Sequence, residues 1–246
     1  MRQSGRRLAE VVAALRERVG PGVSTNELDE QAEAHIRKLG GTPSFKGYRV
    51  SRYVFPATIC ASPDEQVVHG IPTDEPLRAG QIVSIDVGLR YMGYHSDCAF
   101  TVAIGDVPDA VTQLLDVTER SLYEGVAQAV PGNRIGDIGH TIQSHIEPFG
   151  YGVVQEYVGH GIGRQLHEKP SVPNYGKPRR GALIKPGMCI AIEPMSTMGN
   201  FRTRVLKDGW TVVTADGSLA AHFEHTIAVT PKGPEILTVL EGQSPI

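Results

Sequence analysis

The chain repeats itself, and an internal repeat constrains the fold more than any other feature of a sequence. Leu77-Arg78-Ala79-Gly80-Gln81-Ile82-Val83-Ser84-Ile85-Asp86 is matched 107 residues later by Ile184-Lys185-Pro186-Gly187-Met188-Cys189-Ile190-Ala191-Ile192-Glu193. Both run from an apolar residue through a basic residue and a glycine into a strand that ends in a carboxylate. Upstream, Pro21-Gly22 leads into apolar positions Leu28, Ala32, Ile36 and Leu39, and Pro131-Gly132 leads into Ile138, Ile142, Ile146 and Phe149, each offset by 110. That spacing marks one face of a helix. Downstream, Thr101-Val102-Ala103-Ile104 pairs with Thr226-Ile227-Ala228-Val229, both β-branched runs that read as strands. Three matches in the same order are not accidental.

Each half therefore reads helix, helix, then strands. Leu8, Val11, Val12, Leu15 and Val19 give the first helix its apolar face, and residues 110–130 form its counterpart. Ser24 and Glu27 make a capping box at the start of the second helix. Gly40 and Gly150 stand where C-terminal caps belong. The expectation is an α+β fold of two pseudo-twofold related halves, about residues 6–105 and 110–240, sharing an antiparallel sheet backed by helices. No Pro/Ser-rich linker divides them, so a single domain over residues 1–246 is expected.

Composition narrows the function. A net charge of −3 gives no general attraction to nucleic acid or to an anionic membrane. No apolar run is long enough to span a bilayer. Arg2, Arg6 and Arg7 could open a transit peptide, but Glu10 and Glu17 follow at once. Cys60, Cys98 and Cys189 are odd in number and far apart, which speaks against a disulfide framework and suits a reducing, cytoplasmic setting.

The repeat makes Asp86 and Glu193 equivalent, each at the end of an apolar strand, where a twofold-like axis brings both to the centre. Asp97 follows Asp86 by 11 residues across an expected hairpin containing Gly88 and Gly93. Glu224 precedes the Thr226–Val229 strand, and His160 sits in Gly159-His160-Gly161-Ile162-Gly163. Unpaired buried carboxylates are costly, and several together repel until protons or cations neutralise them. Four carboxylates and an imidazole suit divalent Mn, Fe(II), Co or Zn, and four carboxylates exceed what one catalytic ion usually needs, so two ions are expected.

At these residues the chain resembles methionine aminopeptidase of the shorter, type 1 kind, with its pita-bread fold. The likeness covers about Arg6 to Thr238. It is densest at Val67-Val68-His69-Gly70-Ile71-Pro72, Ser84-Ile85-Asp86-Val87-Gly88, Gly159-His160-Gly161-Ile162-Gly163, Ile192-Glu193-Pro194-Met195, Lys207-Asp208-Gly209-Trp210-Thr211 and Glu224-His225-Thr226. The resemblance implies that Asp97 and Glu224 bridge two ions, that Asp86 completes one and that His160 and Glu193 complete the other. It implies that His69 lies near the substrate amine and scissile amide, that His167 binds the scissile carbonyl, and that Glu193 moves the proton of the attacking water. Phe55, Cys60 and Trp210 would line the pocket for the methionine side chain, with Tyr48 and Phe45 as further candidates. His35, His95, His140, His145, His222 and His225 are read as structural or surface residues. The implied substrate is the amino terminus of nascent chains that carry a small second residue. The implied setting is a monomer in the cytoplasm, with the ribosome as a possible partner.

The chain departs from the family pattern in three places. Extra residues, including Arg49 and Arg52, stand between Tyr48 and Phe55. Gln165-Leu166 replaces a Gly-Phe pair before His167, which makes that pocket wall aliphatic. The chain also begins later than most members, so its natural start is expected at Met1 or upstream of it. Two other readings compete. A proline-specific peptidase of the same fold would carry a further histidine just before the Gly-His motif, where this chain has Tyr157-Val158-Gly159. A non-catalytic binding module would be expected to have lost ligands, and all five are present.

Overall fold

The computed structural model describes residues 1–240 and 242. The expected domain runs to residue 246, and its last few positions lie outside the described residues. The first half opens with helices α1 (Arg2–Arg18) and α2 (Thr25–Lys38). Short strands β1 (Thr42–Pro43), β2 (Arg49–Val50) and β3 (Tyr53–Val54) follow, then β4 (Ile59–Pro63) and β5 (Gln66–Val68). The long pair β6 (Ile82–Tyr91) and β7 (Tyr94–Ala103) closes this half. The second half opens with α3 (Asp109–Ala127) and α4 (Ile135–Ile146). It continues with β8 (Gly152–Val153), β9 (Gly159–Gly161), β10 (Glu168–Val172), β11 (Cys189–Ile192), β12 (Met195–Thr197), β13 (Thr203–Val205), β14 (Val212–Thr214), β15 (Ala220–His222), β16 (Glu224–Thr230) and β17 (Gly233–Ile236).

The main sheet runs β1-β6-β7-β16-β11-β9-β10, with β4 added to β6 and β17 added to β16. Its pairings are antiparallel. The order is that of a twofold repeat. β6 and β11 carry the duplicated segment, β7 and β16 carry its downstream match, and the halves join where β7 meets β16. The α+β expectation with a joint antiparallel sheet is the architecture observed.

The helices form for the reasons legible in their sequences. Leu8, Val11, Val12 and Leu15 are buried on one face of α1, which packs on β6 and β7. The capping box at Ser24 is present in both directions: Ser24 Oγ accepts from the Glu27 N–H, and Glu27 accepts from the Ser24 N–H. Ile138, Ile142 and Ile146 bury the matching face of α4 against α3. The repeat fails at two points. β11 stops at Ile192, just before Glu193, but β6 runs through Asp86 to Tyr91, so Asp86 lies within its strand and not at the end expected for it. Phe149 was expected on the apolar face of α4, but α4 ends at Ile146, residues 147–149 form a 3-10 turn around Pro148, and Phe149 is 46% exposed. Proline has no N–H to continue the ladder, so the face is cut one turn short. Phe149 stacks on Tyr151 instead, with centroids 6.3 Å apart.

Alternation along the long strands sends Ile85, Val87 and Leu89 under the helices and Ser84, Asp86 and Gly88 to the opposite face. A side chain on Gly88 would meet the Phe45 ring at 2.7 Å, so the bare backbone there admits Phe45 beside the sheet.

Ser24→Ala removes one arm of the capping box and should cost about 1 kcal/mol of stability. A urea midpoint lowered at constant slope checks this. An unchanged midpoint would show that the cap contributes nothing.

Candidate metal centre and substrate pocket

Register brings the predicted ligands together. Cys60 lies opposite Asp86, Asp86 opposite Ala99, and Ala99 opposite Glu224, one row across four strands. Asp97 lies two residues before Ala99 on the same face, opposite Gly88. From the other half, Glu193 follows the last residue of β11 and His160 centres β9. One cavity of about 190 Å³ is lined by all five, and also by His69, His167, Phe45, Tyr48, Phe55, Cys60 and Trp210. Every site residue named from the sequence therefore faces this space.

The carboxylates crowd one another. Asp97, His160 and Glu224 offer ligand atoms that all lie within 4.8 Å of each other. Glu193 has His160 Nε2 at 3.6 Å and His222 Nε2 at 3.9 Å, both beyond ordinary hydrogen-bond reach. Asp86 Oδ1 and Glu224 Oε1 are buried without a partner. Burial, first, and then mutual repulsion push Asp97 and Glu224 well above the usual carboxylate range. Burial raises Asp86 to about 7, against a hydrogen bond with Asp97 that lowers it, and raises Glu193 to about 8, helped by Asp86. Orphaned buried oxygens among carboxylates that resist ionising are what a divalent cation would satisfy, and the donor set fits one.

Neighbouring groups aim the ligands. His160 Nδ1 lies 2.9 Å from the Gly161 carbonyl; as the donor there it leaves the Nε2 lone pair directed at the carboxylates. The Asp97 N–H donates to Thr226 Oγ1 at 2.8 Å, and the Thr226 hydroxyl donates back to the Asp97 carbonyl at 2.8 Å. Asn174 Nδ2 donates to the Glu193 carbonyl at 2.9 Å.

The histidines are neutral. Burial, followed by the neighbouring His167, lowers His69 and His160 to about 4, and burial lowers His167 as well. His69 adopts φ 59, in the left-handed region. The next residue, Gly70, sits so close to the Ala61 carbonyl oxygen that a Cβ would lie 2.1 Å from it. The imidazole is held edge-on between Tyr157 and Trp210, at centroid distances of 5.5 and 6.3 Å. His167 shares a 2.7 Å hydrogen bond with the Tyr48 hydroxyl through Nδ1. With the Tyr48 hydroxyl as the donor there, the His167 proton stands on Nε2.

Phe45, Phe55, Ala57, Cys60, Ile162, Leu166 and Trp210 form a separate apolar cluster on the cavity wall. Phe55 meets Trp210 edge-to-face at 5.2 Å. Leu166 supplies the aliphatic wall expected from its sequence position.

Sequence reasoning missed three contributors. His222 is 2% exposed, with Nε2 unpartnered beside Glu193. Its place two residues before Glu224 was the available signal. Asn174 carried none, because it reaches Glu193 from a loop. Val50 lines the cavity from the extra segment that the sequence left unexplained.

The shifts carry a sign for stability. A carboxylate whose folded pKa is raised stabilises at low pH and loses that contribution as pH rises through the folded value. Buried histidines with lowered pKa work oppositely, but only below their unfolded value of about 6.5. Between pH about 6.5 and 8 the carboxylates act alone. Chelated protein should therefore melt lower as pH rises through that window, and added Mn²⁺ should remove the slope. Thermal melts in the two conditions check this; a flat profile after chelation would contradict it.

Comparison with known proteins agrees with this geometry. Residues 1–231 match metallopeptidase family M24, whose members use divalent metal. A methionine aminopeptidase of Clostridium perfringens is 49% identical over 241 residues, covering 98% of this chain and 95% of that protein. The crystal structure of methionine aminopeptidase from Thermotoga maritima superposes with a TM-score of 0.94 at 41% identity, over 97% of this chain and 95% of its own. That from Rickettsia prowazekii gives 0.93 at 42% identity over the same shares. The chain belongs to the methionine aminopeptidases of metallopeptidase family M24.

Proposed function

We propose that the chain is a metal-dependent aminopeptidase that removes the amino-terminal methionine from peptide chains whose second residue is small. The observation that carries this reading is a single cavity in which five ligand-type side chains meet an apolar wall and two neutral histidines. The catalytic unit proposed is one domain built from both halves, since the ligands come from each of them.

Asp86, Asp97, His160, Glu193 and Glu224 would hold two divalent ions. Four carboxylates can balance the charge of two such ions, and Mn, Fe(II), Co and Zn all suit the oxygen and imidazole donors. When bound, the metal supplies Lewis acidity and a water deprotonated near neutral pH.

The remaining chemistry belongs to the chain. The cluster of Phe55, Cys60 and Trp210 takes an unbranched apolar side chain, and Cys60 is a wall residue, because burial raises its thiol well above the ordinary range. Glu193 accepts the proton of the attacking water and passes it to the leaving amine. His167, protonated on Nε2, donates to the carbonyl oxygen as negative charge develops on it. His69, neutral and fixed between two aromatic rings, offers a hydrogen bond beside the amine and the scissile amide. The same reading puts the chain in the cytoplasm as a monomer that meets nascent chains at the ribosome. Three free cysteines support that setting, and no helix among the described residues is long and apolar enough to cross a membrane.

Release of Met from Met-Ala-Ser, lost on exhaustive chelation and restored by divalent metal, tests the function. Turnover that survives chelation would refute it. Asp97→Ala should lose both metal and turnover; a variant that binds metal normally and stays active would contradict the ligand set. His167→Ala should keep its metal and lose about 10²–10³ in kcat with little change in KM. Wild-type kcat in that variant would remove His167 from the mechanism.

A further inference from the structure

One wall of the cavity has no part in the chemistry above. Between Tyr48 and Phe55 the chain makes a hairpin in which Arg49 pairs with Val54 and Val50 with Tyr53. A two-stranded hairpin this short is not stable by itself, so its position depends on anchors, and the structure supplies two. At the base, the Phe55 N–H donates to the Tyr48 carbonyl at 2.8 Å, and the Tyr48 hydroxyl is bonded to His167. At the side, the Tyr53 ring lies against Gly209 so closely that a Cβ there would meet it at 2.4 Å, and Gly209 precedes Trp210. Arg52 bonds the Tyr53 hydroxyl at 2.8 Å and stacks over the ring. The hairpin is thereby fixed between the histidine and the tryptophan of the site.

Its placement says what it can touch. Val50 is 51% exposed and yet lines the cavity, so it marks the mouth. The apolar wall that receives the methionine side chain is buried, and so are Asp97 and Glu224. The rest of a bound peptide leaves through this mouth, where Val50 and the exposed His167 both line the cavity. The segment from Phe45 to Ala57 holds three basic residues and no acidic one. Lys46 is paired with Glu33, and Arg52 is held on Tyr53 with its charge still exposed. Arg49 is exposed and has no partner among the described residues.

We propose that the β2–β3 hairpin is a specificity element that holds the substrate downstream of the scissile bond, with Val50 at the exit and Arg49 and Arg52 selecting acidic side chains there. The proposal rests on the aminopeptidase reading and adds a substrate class to it.

The test compares Met-Ala-Asp-Leu with Met-Ala-Lys-Leu. Each kcat/KM is divided by that for Met-p-nitroanilide, which has no peptide beyond the scissile bond, so general damage to the site cancels. The wild-type protein should favour the aspartate peptide by about two- to tenfold at low salt, as expected for two exposed charges. The preference should shrink at high salt. R49E/R52E should abolish or reverse it. If that variant melts well below the wild type, R49Q/R52Q is measured in its place and should bring the ratio to one. Equal ratios in wild type and variant, or a wild-type ratio of one, overturn the proposal. Failure of the wild type to release Met from both tetrapeptides and from Met-Ala-Ser would instead sink the aminopeptidase reading and this proposal with it.

Discussion

Repulsion among buried carboxylates is the constraint around which this molecule is arranged. Asp86, Asp97, Glu193 and Glu224 share one cavity, and burial pushes every one of them toward the protonated form. Two of their oxygens are left with no partner among the described residues. A fold has no reason to hold such a cluster unless a cation completes it, because each unpaired buried charge works against folding. The groups around the cluster are consistent with that purpose. Thr226 clamps the backbone of Asp97, Asn174 holds the carbonyl of Glu193, and Gly161 turns His160 toward the centre.

The sheet is the device that makes the cluster possible. An antiparallel ladder fixes which residues stand opposite one another, and period-two alternation fixes the face. One row therefore carries Cys60, Asp86 and Glu224 on three strands, while the neighbouring residues Ile85 and Val87 anchor the same strands under the helices. A slip of one residue in β6 would bury Asp86 under α1 and expose Val87 to the cavity. Stability and chemistry are thus tied to a single register. The histidines belong to another layer. His69 and His167 come from irregular backbone, as residues that meet the substrate often do, while the metal ligands lie on or beside strands.

Much of this was legible in the chain. The repeat exposed the two halves, the equivalence of Asp86 with Glu193, and the helical faces of α1, α2 and α4, because periodicity reports local geometry directly. Where local chemistry intervened, the repeat misled: Pro148 ended α4 before Phe149 could join its face. His222 was passed over because a histidine's role depends on what lies across space. Its place beside Glu224 points toward the site, but only the fold shows that Glu193 stands 3.9 Å away.

What the sequence by itself determined, then, was the list of parts: apolar strands that carry carboxylates, a glycine-flanked histidine, apolar residues able to wall a pocket, and motifs dense enough to point to a family. Only the tertiary structure decided how the parts meet. It placed Tyr48 on His167, set Tyr53 against Gly209, and turned the extra residues into the mouth of the cavity. The reason is physical. Secondary structure and patterning are short-range properties of the chain. The site joins residues from 45 to 224, and their juxtaposition is set by sheet register and packing between the halves, which no local stretch encodes.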